Sequence, residues 1–140
     1  MLTHKFHTKN KHKSGYDLNA LSDSFPKLKS FVFLNKYETK TIDFSDPEAV
    51  KTLNTALLKY HYGIEFWEFS DDHLCPPIPG RVDYIHHISD LLKSSKIEEN
   101  IKVLDVGTGA SCIFPLLGNA AYNWNFVGTD IDDNSLKQAQ

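Results

Sequence analysis

Arginine occurs once in these 140 residues, at position 81, and cysteine twice, at 75 and 112. Two cysteines make no disulfide framework, and no pairing is expected between them in a reducing compartment. No run of about 18 apolar residues is present, which excludes a membrane-spanning helix. The N-terminus has no apolar h-region, so no secretory signal is read there and the expected compartment is the cytoplasm. There is no internal repeat and no low-complexity tract. Acidic residues are missing altogether from the first 16 positions.

What is there is a globular composition, 41% hydrophobic and 24% charged, which argues against overall disorder. The charge is unevenly spread. Lys5, Lys9, Lys11 and Lys13, with His4, His7 and His12, make residues 1–16 a basic arm of +4. The net charge is −3, so the rest of the chain carries −7. A basic arm on an acidic body suits a polyanion, whose phosphates lysines at this spacing can track, but the pattern names no nucleic acid. The same composition also describes a solvated, frayed terminus.

Local patterns divide the chain near residue 80. Residues 1–80 read as an N-terminal extension of short helices with a hairpin. Leu18, Leu21 and Phe25 have helical spacing, and Pro26 ends that segment. A strand-like "KTIDF" follows, with Ile42 and Phe44 on one face. In "SDPEAVKTLNTALLKYHYG", Ser45 and Glu48 form a capping-box pattern, Val50, Leu53 and Leu57 make the buried stripe, and Gly63 supplies the stop. Residues 81–140 alternate helix, strand and helix. Tyr84, Ile85, Ile88, Leu91 and Leu92 recur at three and four. An apolar strand (101–106), a Gly-rich turn, a helix, a second strand (126–130) and the start of another helix follow. That order predicts an α/β fold, the opening of a parallel, doubly wound sheet.

The turn carries the chemistry. A strand ending in "DVGTG" and running into a helix is a nucleotide-binding turn. Gly107 permits the sharp bend, Gly109 lets a ligand approach the backbone, and Ser111 can cap the helix or hydrogen-bond a ligand. The third glycine of a dinucleotide fingerprint is replaced by Cys112, which disfavours an NAD-dependent oxidoreductase. Asp105, two residues before the first glycine, is a poor neighbour for a pyrophosphate. It suits the amine and sulfonium of S-adenosylmethionine. Asp130 ends the second strand, where an acid can hold both ribose hydroxyls. Asp132 and Asp133 are placed to cap the next helix. Pro115 predicts an irregular turn through 110–113, with regular helix from about Phe114. Cys112 reads as a small packing residue rather than a nucleophile.

"HLCPPIPGRVDYIHH" invites a metal reading through His73, Cys75, His86 and His87. Adjacent histidines on a helix point about 100° apart, and no C-x-x-C or H-x-x-x-H pair occurs, so no metal is expected. The prolines favour another reading. Pro76, Pro77 and Pro79 stiffen the approach, Gly80 permits a turn, and Arg81 emerges on the next helix, aimed at a carboxylate. The alternative is a surface ion pair with Asp83 or a neighbouring acid. His86 and His87 are left to helix surface, core or RNA contacts.

Together, "LDVGTGASCIFPLLG", "CPPIPGRVDYIHHISDLL", "IDFSDPEAVKTLNTALLKYHYGI" and "FVGTDIDD" resemble the bacterial 23S rRNA adenine-N(6) methyltransferases. More distantly they resemble the eukaryotic methyltransferase that modifies U6 small nuclear RNA. The resemblance covers nearly the whole chain, including "TKNKHKSGYD". It implies a class I, Rossmann-like fold with a family-specific N-terminal extension, and methyl transfer from S-adenosylmethionine to adenine N6 in ribosomal RNA. It implies that Arg81 meets the cofactor's carboxylate, Gly107 and Ser111 line its methionine portion, Asp130 binds its ribose, and the lysine arm holds RNA. The Asn-Pro-Pro-Phe catalytic motif of that family is not among these residues. Only two of its roughly seven strands can be counted, so the second strand would present an unpaired edge. The expectation is therefore the N-terminal portion of such an enzyme, catalytically incomplete without a missing C-terminal half. A fragment that binds RNA and cofactor without chemistry is the alternative.

Overall fold

A computed structural model describes residues 5–140. The chain forms two compact units. One is Ser14–Phe66. The other joins the described residues up to Lys13 with Trp67–Gln140. This division by packing differs from the one expected near residue 80, because the start of the chain folds with its second half. No helix among the described residues is long and apolar enough to cross a membrane.

The Ser14–Phe66 unit is built on two helices. Helix α1 (Leu18–Ser24) is capped by Asp17, whose side chain accepts from the Asn19 and Ala20 N–H groups. A 3-10 turn, Pro26–Phe31, follows. Strands β1 (Phe33–Leu34) and β2 (Lys40–Thr41) make a short antiparallel hairpin. Helix α2 (Pro47–Tyr62) is capped by Asp46, not by Ser45 as the capping-box pattern suggested. Asp43 explains the difference: its carboxylate accepts from both the N–H and the hydroxyl of Ser45. Gly63 ends α2 in the left-handed region at φ 66°. Leu18, Leu21, Leu28, Ala49, Leu53, Ala56, Leu57 and Leu58 are buried here. Ile42 is buried but Phe44 is exposed, since β2 stops at Thr41 and the alternation stops with it.

In the other unit, helix α3 (Ile78–Ser94) begins three residues earlier than expected, with Pro79 and Gly80 inside its first turn. Proline is tolerated there because its missing N–H would have had no helical partner. Gly80 is therefore helical and forms no bend. Its buried face is Ile78, Val82, Ile85, His86 and Ser89, while Tyr84 and Leu91 are exposed. Strand β3 (Lys102–Val106) pairs in parallel with β4 (Asn125–Thr129), in register Leu104 with Val127 and Asp105 with Gly128. Helix α4 (Ile113–Tyr122) connects them, and Asn123 ends it in the left-handed region. Gly118 of α4 lies against Phe126 of β4. Helix α5 (Asp133–Ala139) is capped by Asp132, which accepts from the N–H and hydroxyl of Ser135. The sheet face bearing Leu104, Val106 and Val127 is exposed.

The basic arm is not frayed over its described part; His4 lies outside the described residues. Asn10 is 1% exposed and its amide donates to the Pro79 carbonyl at 3.0 Å and to Asp83 at 2.9 Å. The His7 N–H donates to Asp83 at 2.7 Å, and its ring meets Asp90 at 2.8 Å. Polar groups inside the arm thus satisfy polar groups on α3. Lys5, Lys9, Lys11 and Lys13 all remain on the surface.

Candidate cofactor-binding site

The site lies where β3 and β4 end. Thr129, the last residue of β4, accepts from the N–H groups of Gly107 at 2.8 Å and Thr108 at 2.9 Å. That pair of bonds turns the chain sharply as it leaves β3. Gly107 (φ 79°) and Gly109 (φ 66°) take positive φ, where a side chain is strained. No heavy atom lies within 4 Å of where a Cβ would stand on either. The backbone therefore presents an open floor that a side chain would obstruct.

Cys112 is also left-handed, at φ 48°, and occupies the position before α4. A non-glycine residue pays about 1–2 kcal/mol there. Burial pushes its thiol up, so it is a protonated packing group near the Thr108 hydroxyl. No side chain caps α4, so Ser111 does not take the capping role considered from sequence. Regular helix begins at Ile113, as the placement of Pro115 predicts.

Two acids flank the floor. Asp130 accepts from the Gly109 N–H at 2.9 Å through one oxygen and from the Asp132 N–H at 3.0 Å through the other. These bonds, the Asp132 one foremost, hold its carboxyl below the usual range. Each oxygen keeps a lone pair for a hydroxyl donor. Asp105 has a buried Oδ2 with no hydrogen-bond partner among the described residues. A buried carboxylate oxygen without a donor costs stability that a cationic ligand group would recover. This donor set fits S-adenosylmethionine. It does not fit a pyrophosphate.

Arg81 is half-buried in α3, its guanidinium carbon 5.8 Å from the centre of the Phe114 ring. Among the described residues no ion pair holds it. Asp83 is instead taken by Asn10, the His7 N–H and, at 3.4 Å, His87. The structure thus joins Gly109 to Asp130 directly and brings Arg81 to the first turn of α4. Lys9 and Lys13 are used partly within the arm: Lys9 lies 3.8 Å from Asp90, and Lys13 donates to the Thr8 carbonyl at 2.8 Å. His86 is a core residue bonded to the Tyr122 hydroxyl at 2.6 Å, and His87 is at the surface. His73 meets Gln138 at 3.2 Å. No group of three His, Cys, Asp or Glu among the described residues could hold a metal ion. One residue was missed. The Trp67 indole N–H donates to the Ser111 carbonyl at 2.8 Å; only the alternation of aromatic and acid in "FWEF" hinted at its burial.

A family model described as RNA methyltransferase matches residues 1–140. The chain belongs to the RNA methyltransferase family. It is 55% identical over 141 residues to the ribosomal RNA large subunit methyltransferase F of Shewanella pealeana, covering 96% of this chain and 37% of that protein. The chain spans about 40% of the length of the curated relatives it matches. Among solved structures it is similar to the N-terminal domain of human METTL16 in complex with SAH. There the TM-score is 0.87 and the identity 34%, over 96% of this chain and 52% of that one. It is likewise similar to the hMettl16 catalytic domain in complex with MAT2A 3'UTR hairpin 6, with TM-score 0.85 and 34% identity over 96% and 47%. The fold of this RNA methyltransferase family member is accordingly the α/β, Rossmann-like methyltransferase fold.

Proposed function

We propose that this chain supplies the cofactor-binding portion of an S-adenosylmethionine-dependent methyltransferase acting on adenine N6 of 23S ribosomal RNA. The observation that carries the reading is the pair of acids around an open glycine floor: Asp130, pinned by main-chain N–H groups, and Asp105, with an unpartnered buried oxygen. The relatives named as ribosomal RNA methyltransferases support the substrate class, and the SAH complex supports the cofactor.

When bound, S-adenosylmethionine supplies an electrophilic methyl group on a sulfonium. The residues of this chain hold and orient. Asp130 accepts from the ribose hydroxyls and is kept ionised by its N–H partners. Gly107 and Gly109 let the backbone come close without a Cβ, and the segment around Ser111 lines the methionine portion. Asp105 receives the positive end, and Arg81 receives the carboxylate through two parallel hydrogen bonds. Lys5, Lys9, Lys11 and Lys13 contribute charge to RNA binding. The Asn-Pro-Pro-Phe run that the family resemblance associates with the target amine is not among these 140 residues, so no group here is assigned to that step.

Calorimetry with S-adenosylhomocysteine and with NAD tests the reading. Binding of the first and not the second is expected. Asp130→Asn, which loses the charge but keeps the shape, should weaken it by about 10- to 100-fold, the range for a charged hydrogen bond. Binding of NAD instead would overturn the cofactor assignment. Methyl transfer by the longer relative to a 23S transcript, read as N6-methyladenine, tests the base.

A further inference from the structure

The Gly-rich turn is not held by its own sequence. Two left-handed glycines give it many accessible shapes, Cys112 is strained in a left-handed one, and no side chain caps the helix it enters. Within 110–112 the local main-chain bond is Cys112 N–H to the Gly109 carbonyl, long at 3.4 Å. Thr129 and Asp130 hold the turn at Gly107, Thr108 and Gly109, and the Ser111 carbonyl beyond them is held by a residue 44 positions away.

That residue is Trp67, within an irregular stretch that runs from Gly63 to Pro77. Trp67 and Phe69 are buried while Glu68 and Ser70 are exposed. The two rings meet edge to face at 4.9 Å, which fixes the plane of the indole. Its N–H is therefore aimed at Ser111 before any ligand arrives. The far end of the stretch is tied as well. The Ser70 N–H donates to the Gln138 side chain at 2.7 Å, and His73 meets the same side chain at 3.2 Å. The stretch thus straps the turn after β3 to α5, the helix after β4. Asp130 bonds the same two connections from the other side through the Gly109 N–H.

We propose that Trp67 is a positioning residue for the cofactor: its indole N–H holds the Gly-rich turn in the shape that takes S-adenosylmethionine. The inference rests on the cofactor reading above. A site whose competent shape is only partly populated binds with an affinity reduced by that fraction. Release of the Ser111 carbonyl therefore weakens binding without removing any ligand contact.

Trp67→Phe keeps an aromatic ring against Phe69 and removes the donor. Hydrogen exchange by mass spectrometry, without ligand, should show faster exchange across 107–113, with 102–106 and 82–90 unchanged. Affinity for S-adenosylhomocysteine should fall about tenfold, as expected for one lost hydrogen bond amplified by turn disorder. A variant whose turn stays protected, or which binds as tightly as the parent, overturns the proposal. Loss of protection throughout the unit also overturns it, since that marks a packing role. A measurement on the unmutated protein stands independently of the variant. The Trp67 indole proton should exchange slowly by NMR, and rapid exchange overturns the proposal. If the unmutated chain binds no cofactor at all, the cofactor reading fails instead. The exchange data tell the two failures apart because they are read without ligand.

Discussion

Arg81 carries its charge over the face of Phe114, and among the described residues no acid neutralises it. Such a stack is worth about 0.5–1 kcal/mol at an accessible site, too little to explain the residue as a fold determinant. Arg81→Ala should therefore leave the urea midpoint nearly unchanged. Affinity for S-adenosylmethionine should fall by about 10- to 100-fold, the range for a charge-assisted bond, and Arg81→Lys should recover only part of it. Equal affinity of parent and alanine variant would remove Arg81 from the site. His86 gives the opposite case, a titratable group spent on the core. Burial first, and then the neighbouring His7, lower its pKa from the ordinary 6.5. Asp83 and Asp90 oppose that shift, while Lys9 adds to it. A histidine with a depressed folded pKa binds its proton more weakly when folded. Its contribution to stability is complete above the unfolded value and is lost as the pH falls through that value towards the folded one. Urea unfolding at pH 7.5 and pH 5.5 should show the loss in the parent and a flatter profile in His86→Asn.

Between elements, Gly118 of α4 packs closely on β4. A Cβ there would run into the Phe126 ring and meet the Trp124 ring at 3.4 Å. Two effects compete in Gly118→Ala. Helix propensity gains about 1 kcal/mol. Overpacking costs about 1–3 kcal/mol, because the Phe126 ring sits between the helix and its strand and has to move. The clash should win, giving net destabilisation of about 1 kcal/mol in urea titrations. Alanine at an exposed helical position provides the control for propensity alone. What was legible at this scale was local. The stop of α2 at Gly63, the start of α4 beside Pro115 and both strands of the parallel pair lay within a residue or so of expectation. Each is set by neighbours in sequence. The start of α3 was misread because Pro79 and Gly80 spell a turn when read alone. Burial of Ile78 outweighs the roughly 1 kcal/mol that a helical glycine costs. The meeting of Gly109 with Asp130 was readable because one βαβ unit brings the two strand ends together. Trp67 was not, since its partner lies 44 residues away.

At the scale of the molecule, the beginning of the chain and its second half fold together. Charge counting alone described the first 16 residues as a basic arm, and its fastening could not be read there. Asn10 reaches Asp83 across 73 residues, and no local pattern announces such a contact. The arm alternates: Asn10 and His12 are buried, while Lys9, Lys11 and Lys13 stay on the surface. Removing the buried member tests the fastening. Asn10→Ala deletes a buried donor shared by the Pro79 carbonyl and the Asp83 carboxylate. The cost should be about 1–3 kcal/mol. Asn10→Asp should cost more, since it sets a second carboxylate against Asp83. RNA affinity should fall in the Asn10 variants as well, because unanchored lysines pay ordering entropy on binding. Replacing Lys11 and Lys13 by Gln should weaken RNA binding and its salt dependence with little change in the urea midpoint. An Asn10→Ala protein with parent stability and parent RNA affinity would show that the arm is held in some other way.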